Sequence, residues 1–232
     1  MHPSNGLEGM KVRLLIASIA SLGFFAALIF WPAGTIGWLQ GWLYFGLLST
    51  SALITYVYLR RVNPEVIEHR LQFKKGTKPW DKRWAVFFAP TFIAIYLVAG
   101  FDAVRFEWSA MPLWLWLPGL VIWLPANVLL TWAMGVNPFF EKTVRIQTER
   151  GHHVIDTGPY RYIRHPGYLG FLGWCLSTPL FLGSWWSLVP ALLSIAGIAI
   201  RTRLEDRTLH EELDGYPEYA SRVRYRLIPG IW

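Results

Sequence analysis

Between Pro166 and Ile200 the chain runs for 35 residues without an Asp, Glu, Lys or Arg. Four further charge-free runs precede it, Leu14–Trp31, Ile36–Leu59, Trp84–Phe101 and Met111–Phe140, of 18, 24, 18 and 30 residues. Such lengths match the roughly 20 apolar residues that carry a helix across a hydrocarbon core. Inside lipid every backbone N–H and C=O must be satisfied within its own segment, so the expected fold is all-α. Composition points the same way: 53% of residues are hydrophobic, 14 of them Trp, which is too apolar for a water-soluble domain.

The last run is too long for one span. As a single helix it would reach about 52 Å, against a core of roughly 30 Å. Gly183-Ser184 divides it near the middle with Pro179 and Pro190 on either side, which predicts a tight helical hairpin. Charge placement agrees. With a hairpin, every one of the 22 Lys and Arg except Arg105 falls on one side; with a single rod, the six arginines from Arg201 to Arg226 cross over. The positive-inside rule therefore predicts a polytopic integral membrane protein with four transmembrane spans plus a C-terminal transmembrane hairpin. Both termini are expected in the cytoplasm, and the host is expected to be a bacterial inner membrane.

The first apolar run follows a polar lead, Met1–Arg13, that carries Lys11 and Arg13. It is longer than a signal-peptide core and ends in Trp31-Pro32 rather than a small-residue cleavage site, so it is read as a retained span. Arg60–Arg83 is a block with eight Lys and Arg, and Asp102–Ala110 a short acidic loop on the opposite side. Pro90 can kink the third span without breaking it. Pro112, Pro118 and Asn137-Pro138 trim the fourth. The chain reads as a single domain, 1–232, with N-terminal spans in 1–136 and a binding region in 137–232.

The net charge of +7 could suggest nucleic acid, but the cations flank apolar runs as membrane topology requires, and no nucleic-acid partner is expected. One cysteine, Cys175, excludes an internal disulfide framework and a multi-cysteine zinc site; in an apolar run it reads as an inert thiol. No G-x-G-x-x-G or H-E-x-x-H occurs, and the adjacent His152 and His153 diverge, so no metal is expected. The charge-free spans disfavour a pump or ion transporter.

Gln147–Tyr168 is polar, basic and aromatic. Gly158-Pro159 marks a turn, and Pro166 suits the first position of a helix. The loop thus delivers His152, His153, Tyr160, Arg164, His165 and Tyr168 to the mouth of a membrane helix. Beyond the hairpin, Arg201–His210 reads as a helix leaving the membrane, with Glu205 one turn after Arg201 on the same face. Together these predict a cytoplasmic pocket for a polar cofactor from the cytosol and a lipidic substrate from the bilayer, with arginine pairing to a carboxylate or phosphate. The residues alone leave other readings open: a basic loop on lipid headgroups, an Arg201–Glu205 surface ion pair, and interfacial tyrosines. The tail through Tyr219, Arg222, Arg224, Arg226 and Pro229 is expected to rest on the membrane surface.

The stretch Gly158-Pro159-Tyr160-Arg161-Tyr162-Ile163-Arg164-His165-Pro166-Gly167-Tyr168-Leu169-Gly170 resembles the signature of the isoprenylcysteine carboxyl methyltransferase family. Its superfamily also contains phospholipid N-methyltransferases. Arg201, Glu205, Leu209, Gly215-Tyr216, Tyr219, Val223 and Pro229 extend the likeness, which runs roughly from Asn137 to the C-terminus. The resemblance implies an integral membrane enzyme that uses S-adenosyl-L-methionine without a Rossmann domain. It implies cofactor contacts from Gln147, His152, His153, Val154, Ile155, Tyr160, His165, Pro166, Gly167, Tyr168 and Glu205. It also implies a substrate contact from Arg201. Arg201, His165 and Glu205 are the catalytic candidates, the last two as bases where the acceptor is an amine. The first-choice reaction is carboxyl O-methylation of a prenylcysteine-like acid, with a lipophilic small molecule or lipid as acceptor and membrane lipids as surroundings. N-methylation of a phospholipid headgroup, NADPH-dependent reduction of the membrane sterol type, and non-enzymatic lipid binding are the alternatives. The sequence leaves the acceptor and the oligomeric state open.

Overall fold

The computed structural model describes residues 4–70 and 76–232, with side chains from residue 16 onward. The Lys11 and Arg13 side chains of the polar lead, and Lys74 and Lys75 of the basic block, lie outside the described residues. Eight α-helices follow in order among the described residues: α1 Ser4–Ala33, α2 Leu39–Val62, α3 Pro64–Arg70, α4 Pro79–Gly100, α5 Trp116–Val136, α6 Pro166–Leu182, α7 Leu188–Glu212 and α8 Tyr216–Arg222. No strand occurs among these residues.

Four segments are long and apolar enough to cross a membrane: Ile16–Ala33, Leu39–Val62, Pro79–Arg105 and Leu113–Val136. They are the four spans expected, with two adjustments. The helix of the first begins at Ser4, inside the polar lead. The third continues past α4 through a π-helical turn, Phe101–Arg105. Asp102, read as the start of an outer loop, is therefore wholly buried. Its carboxylate accepts from Ser184 Oγ at 2.6 Å, Ser109 Oγ at 2.8 Å and the Trp186 N–H at 3.2 Å. These bonds tie the end of the third span to the turn between α6 and α7.

That turn is the expected hairpin. Pro166 stands in the first turn of α6, and Gly183 ends the helix at φ 78°, a left-handed cap that glycine adopts without a Cβ clash. Ser187 Oγ donates to the Ile95 carbonyl at 2.6 Å and holds the return helix against α4. α7 then runs unbroken through Arg201 and Glu205 to Glu212, as the sequence suggested.

α5 and α6 pack closely against each other. A side-chain carbon placed on Gly170 would sit 2.6 Å from the Ala126 carbonyl oxygen, so the two backbones touch where small residues face each other. Tyr44 on α2 bonds Thr178 on α6 at 2.6 Å in the buried centre of the bundle. At the site end, α2 stops at Asn63 because the residue before a proline is disfavoured in helical geometry. Asn63 Nδ2 then donates to the Met134 carbonyl at 2.9 Å, fixing the α2–α3 corner to the end of α5.

Candidate active site

The loop after α5 is folded by its own polar side chains. Asn137 Oδ1 accepts from the Phe139 N–H at 2.8 Å, and Asn137 Nδ2 donates to the Tyr160 hydroxyl at 3.1 Å. Gln147 is almost fully buried. Its amide is spent within the loop: Nε2 donates to the Phe139 carbonyl at 2.8 Å, and Oε1 accepts from Arg150 Nη1 at 2.6 Å. The chain then turns through Gly151 at φ 62°. His152 Nδ1 accepts the Gln147 N–H at 3.3 Å, and its ring lies 4.4 Å from that of Phe139. Burial pushes the His152 imidazole down to about 4, reinforced by the neighbouring His153, Arg145 and Arg150, so it is neutral at physiological pH. His153 is exposed and meets the edge of Phe139. Tyr160 is buried, and burial raises its phenol.

The Arg164-His165-Pro166 corner is tied to α7 and to the tail through one carboxylate. Asp206 accepts from Arg164 Nε at 2.7 Å and Nη2 at 3.0 Å, from Arg226 Nε at 2.7 Å and from the Tyr216 hydroxyl at 2.9 Å. His165 Nε2 lies 3.2 Å from the same carboxylate. Burial alone would raise the Asp206 carboxyl, but the His165, Arg164 and Arg226 contacts outweigh it and hold the group well below the usual carboxylate range. The backbone joins in. The Arg164 and His165 N–H groups donate to the Tyr225 and Arg226 carbonyls at 3.0 and 2.9 Å, and Arg164 Nη1 reaches the Val223 and Arg224 carbonyls. The tail expected to lie on the membrane surface is thus bonded to the corner, because its free carbonyls complete the donors of Arg164.

One residue before Asp206 on α7, Glu205 faces away from this knot and accepts a hydrogen bond from the Tyr168 hydroxyl. Adjacent helix positions diverge by about 100°, so Glu205 and Asp206 serve different neighbours. Arg201 does not pair with Glu205. It donates from Nε to Asp81 Oδ1 at 2.9 Å and from Nη2 to the Lys142 carbonyl at 2.8 Å. Its guanidinium also lies 4.3 Å from the Trp84 ring centroid and 5.4 Å from that of Tyr168. Asp81 in turn accepts the Val144 N–H at 2.8 Å.

These groups surround one cavity of about 700 Å³. Gln147, His152, His153, Val154, Ile155, Tyr160, His165, Gly167, Tyr168, Arg201 and Glu205 all line it. Pro166 does not; it is buried at the start of α6 and sets the corner. From this polar region the cavity continues between the helices, past Trp84, Phe88, Leu130, Phe171, Trp174 and Ile198. Sequence reasoning missed Asp81 and Asp206, whose partners lie far away in the chain. It also missed a polar collar on two spans, Ser51 and Thr55 on α2 with Asn127 and Thr131 on α5. Thr55 and Thr131 bond each other at 2.9 Å.

Fold and site together define an all-α integral membrane protein whose helices enclose one cavity, polar at the loop and apolar among the spans. Within that class, the likeness is to the isoprenylcysteine carboxyl methyltransferase (ICMT) family, whose model matches residues 119–211. The protein-S-isoprenylcysteine O-methyltransferase of Saccharomyces cerevisiae is 35% identical over 86 residues, 36% of this chain and 36% of that protein. The protein-S-isoprenylcysteine O-methyltransferase B of Arabidopsis thaliana is 33% identical over 86 residues, 36% of this chain and 44% of its own length. The chain thus aligns with less than half the length of these curated relatives. A solved structure, the eukaryotic intramembrane Ras methyltransferase ICMT, superposes with a TM-score of 0.55 at 22% identity, over 92% of this chain and 75% of that one. At that identity the likeness is one of fold. The resemblance read from Gly158–Gly170 and from Arg201, Glu205 and Leu209 falls inside the matched region, while Gly215-Tyr216, Tyr219, Val223 and Pro229 lie beyond it.

Proposed function

We propose that the protein is a membrane-embedded methyltransferase that uses S-adenosyl-L-methionine to esterify the carboxylate of a lipophilic, prenylcysteine-like acid. The observation that carries this reading is the cavity, which has the Glu205 carboxylate, tyrosines and a neutral histidine at one end and an apolar channel at the other. Arg201 stands between the two. The donor set suits the cofactor: aromatic faces and the Glu205 carboxylate favour a sulfonium cation. S-adenosyl-L-methionine, when bound, supplies a methyl group already activated as a sulfonium.

Glu205, Tyr168, Tyr160, His152 and the Val154-Ile155 edge would hold the cofactor, while His165 and Gly167 form the wall behind it. Gln147 contributes by fixing the loop, since its own amide is engaged. Pro166 contributes by setting the corner. Arg201 would receive the acceptor's carboxylate; Asp81, Trp84 and Tyr168 hold its guanidinium in one orientation. A carboxylate is ionised at neutral pH and needs no general base, so positioning and exclusion of water carry the rate. His165, held by Asp206, and Glu205, held by Tyr168, therefore act by placing the reactants. The excess of Lys and Arg on one side supports a cytoplasmic position for the loop and both termini. We read residues 1–136 and 137–232 as halves of one domain, because both line the cavity.

Calorimetric titration of S-adenosylhomocysteine into the detergent-purified protein tests the reading. Saturable binding that Glu205→Ala weakens at least about tenfold, or about 1.4 kcal/mol, is expected. Binding of NADPH instead, or of neither ligand, would overturn it.

A further inference from the structure

We propose that Arg70 is a second guanidinium for the acceptor's anionic group, acting with Arg201, and that it makes the cavity selective for acids over their neutral esters. The proposal rests on the methyltransferase reading and adds a residue from the N-terminal half, outside the matched residues 119–211.

Arg70 is the last residue of α3, and α3 is held in place from both sides. The Asn63 bond to the Met134 carbonyl fixes its start, and Val66, fully buried, packs in one cluster with Leu59 and Met134. The Arg70 guanidinium lies 5.3 Å from the centroid of the Phe140 ring. It lines the same cavity as Arg201 and Lys142. Other arginines of the site each meet a carboxylate: Arg201 with Asp81, Arg164 and Arg226 with Asp206, Arg145 with Glu141, and Arg150 with Glu65. No carboxylate among the described residues pairs with Arg70.

Arg70 is partly buried, and burial together with the nearby charge of Arg201 lowers it to about 10. A shielded cation beside a like charge is costly unless an anion joins them. An acceptor carboxylate between Arg70 and Arg201 would supply that anion, with charge-assisted hydrogen bonds that a methyl ester cannot accept as strongly. The same difference would favour release of the esterified product. A lipid phosphate offers related chemistry, so the test includes it.

The experiment titrates an S-prenylcysteine free acid and its methyl ester into wild-type protein, Arg70→Met and Arg70→Lys, with S-adenosylhomocysteine titrated into each. Wild type is expected to prefer the acid, Arg70→Met to lose about tenfold of that preference, and Arg70→Lys to retain part of it. S-adenosylhomocysteine affinity should stay unchanged in both variants, which also shows that they fold. An unchanged acid preference in Arg70→Met, with that affinity intact, would overturn the role of Arg70 and leave the methyltransferase reading standing. Failure of wild type to bind either prenyl probe would overturn it too, as would loss of the acid preference in micelles containing phosphatidylglycerol. Loss of S-adenosylhomocysteine binding by wild type would instead remove the reading beneath it.

Discussion

Replacing Asp206 by Asn should damage the protein more than any other single change of that size. Asp206 is 1% exposed and accepts from Arg164, Arg226 and Tyr216 while facing His165. The amide keeps the shape, removes the charge and turns one acceptor into a donor aimed at an arginine. Removing one partner of a buried ion pair costs about 3–5 kcal/mol, because the other charge stays buried without compensation. For a chain of this size each kcal/mol moves Tm by roughly 2–4 °C, so a fall on the order of 10 °C is expected. Tryptophan fluorescence during thermal unfolding in detergent would measure it. The pH dependence follows the same cause. The folded carboxyl titrates below its unfolded value, so its stabilisation is present above about pH 4 and is lost as pH falls further. A variant that melts within about 2 °C of wild type would show that the corner, the helix and the tail are not held by this carboxylate.

Tyr168→Phe removes the hydroxyl that donates to Glu205 and should weaken S-adenosylhomocysteine binding several-fold, by about 1 kcal/mol, in calorimetry; unchanged affinity would detach Glu205 from the cofactor. His152 has its imidazole at about 4 in the folded protein, below the unfolded value, so stability should decline as pH falls from about 6.5 toward 4. Melting curves of wild type and His152→Phe across that range would reveal the difference, and parallel curves would contradict it. Gly170→Val would drive its side chain into the Ala126 backbone at the α5–α6 crossing and should cost several kcal/mol, with loss of ligand binding; a normally melting variant would contradict the packing.

The spans were legible because lipid permits few solutions: a charge-free run of helix length, or one broken at Gly183, leaves little choice. The same logic misplaced Asp102. A carboxylate signals a loop when only its own segment is visible, and its burial depends on hydroxyls and an N–H from residues 109 to 186. The local motif brought His165 and Tyr168 to the cavity, and hairpin geometry brought Glu205 beside them. Gln147 does line the cavity, but periodicity could not reveal that Phe139 and Arg150 engage its amide. Nor could spacing show that Arg201 would choose Asp81, 120 positions earlier, over the glutamate one turn away. The tail read as surface-bound from its composition, while its carbonyls were the partners Arg164 lacked.

The central claim is that one cavity joins a methyl donor to a lipophilic carboxylate. The direct measurement is methyl transfer by the purified protein from methyl-labelled S-adenosyl-L-methionine to an S-prenylcysteine acid, with the product treated with base. Label that enters the lipid fraction, is released by base as volatile methanol, and disappears in Arg201→Ala is the outcome expected. Base-stable label on an amine headgroup, or no transfer by protein that binds both ligands, would contradict the account.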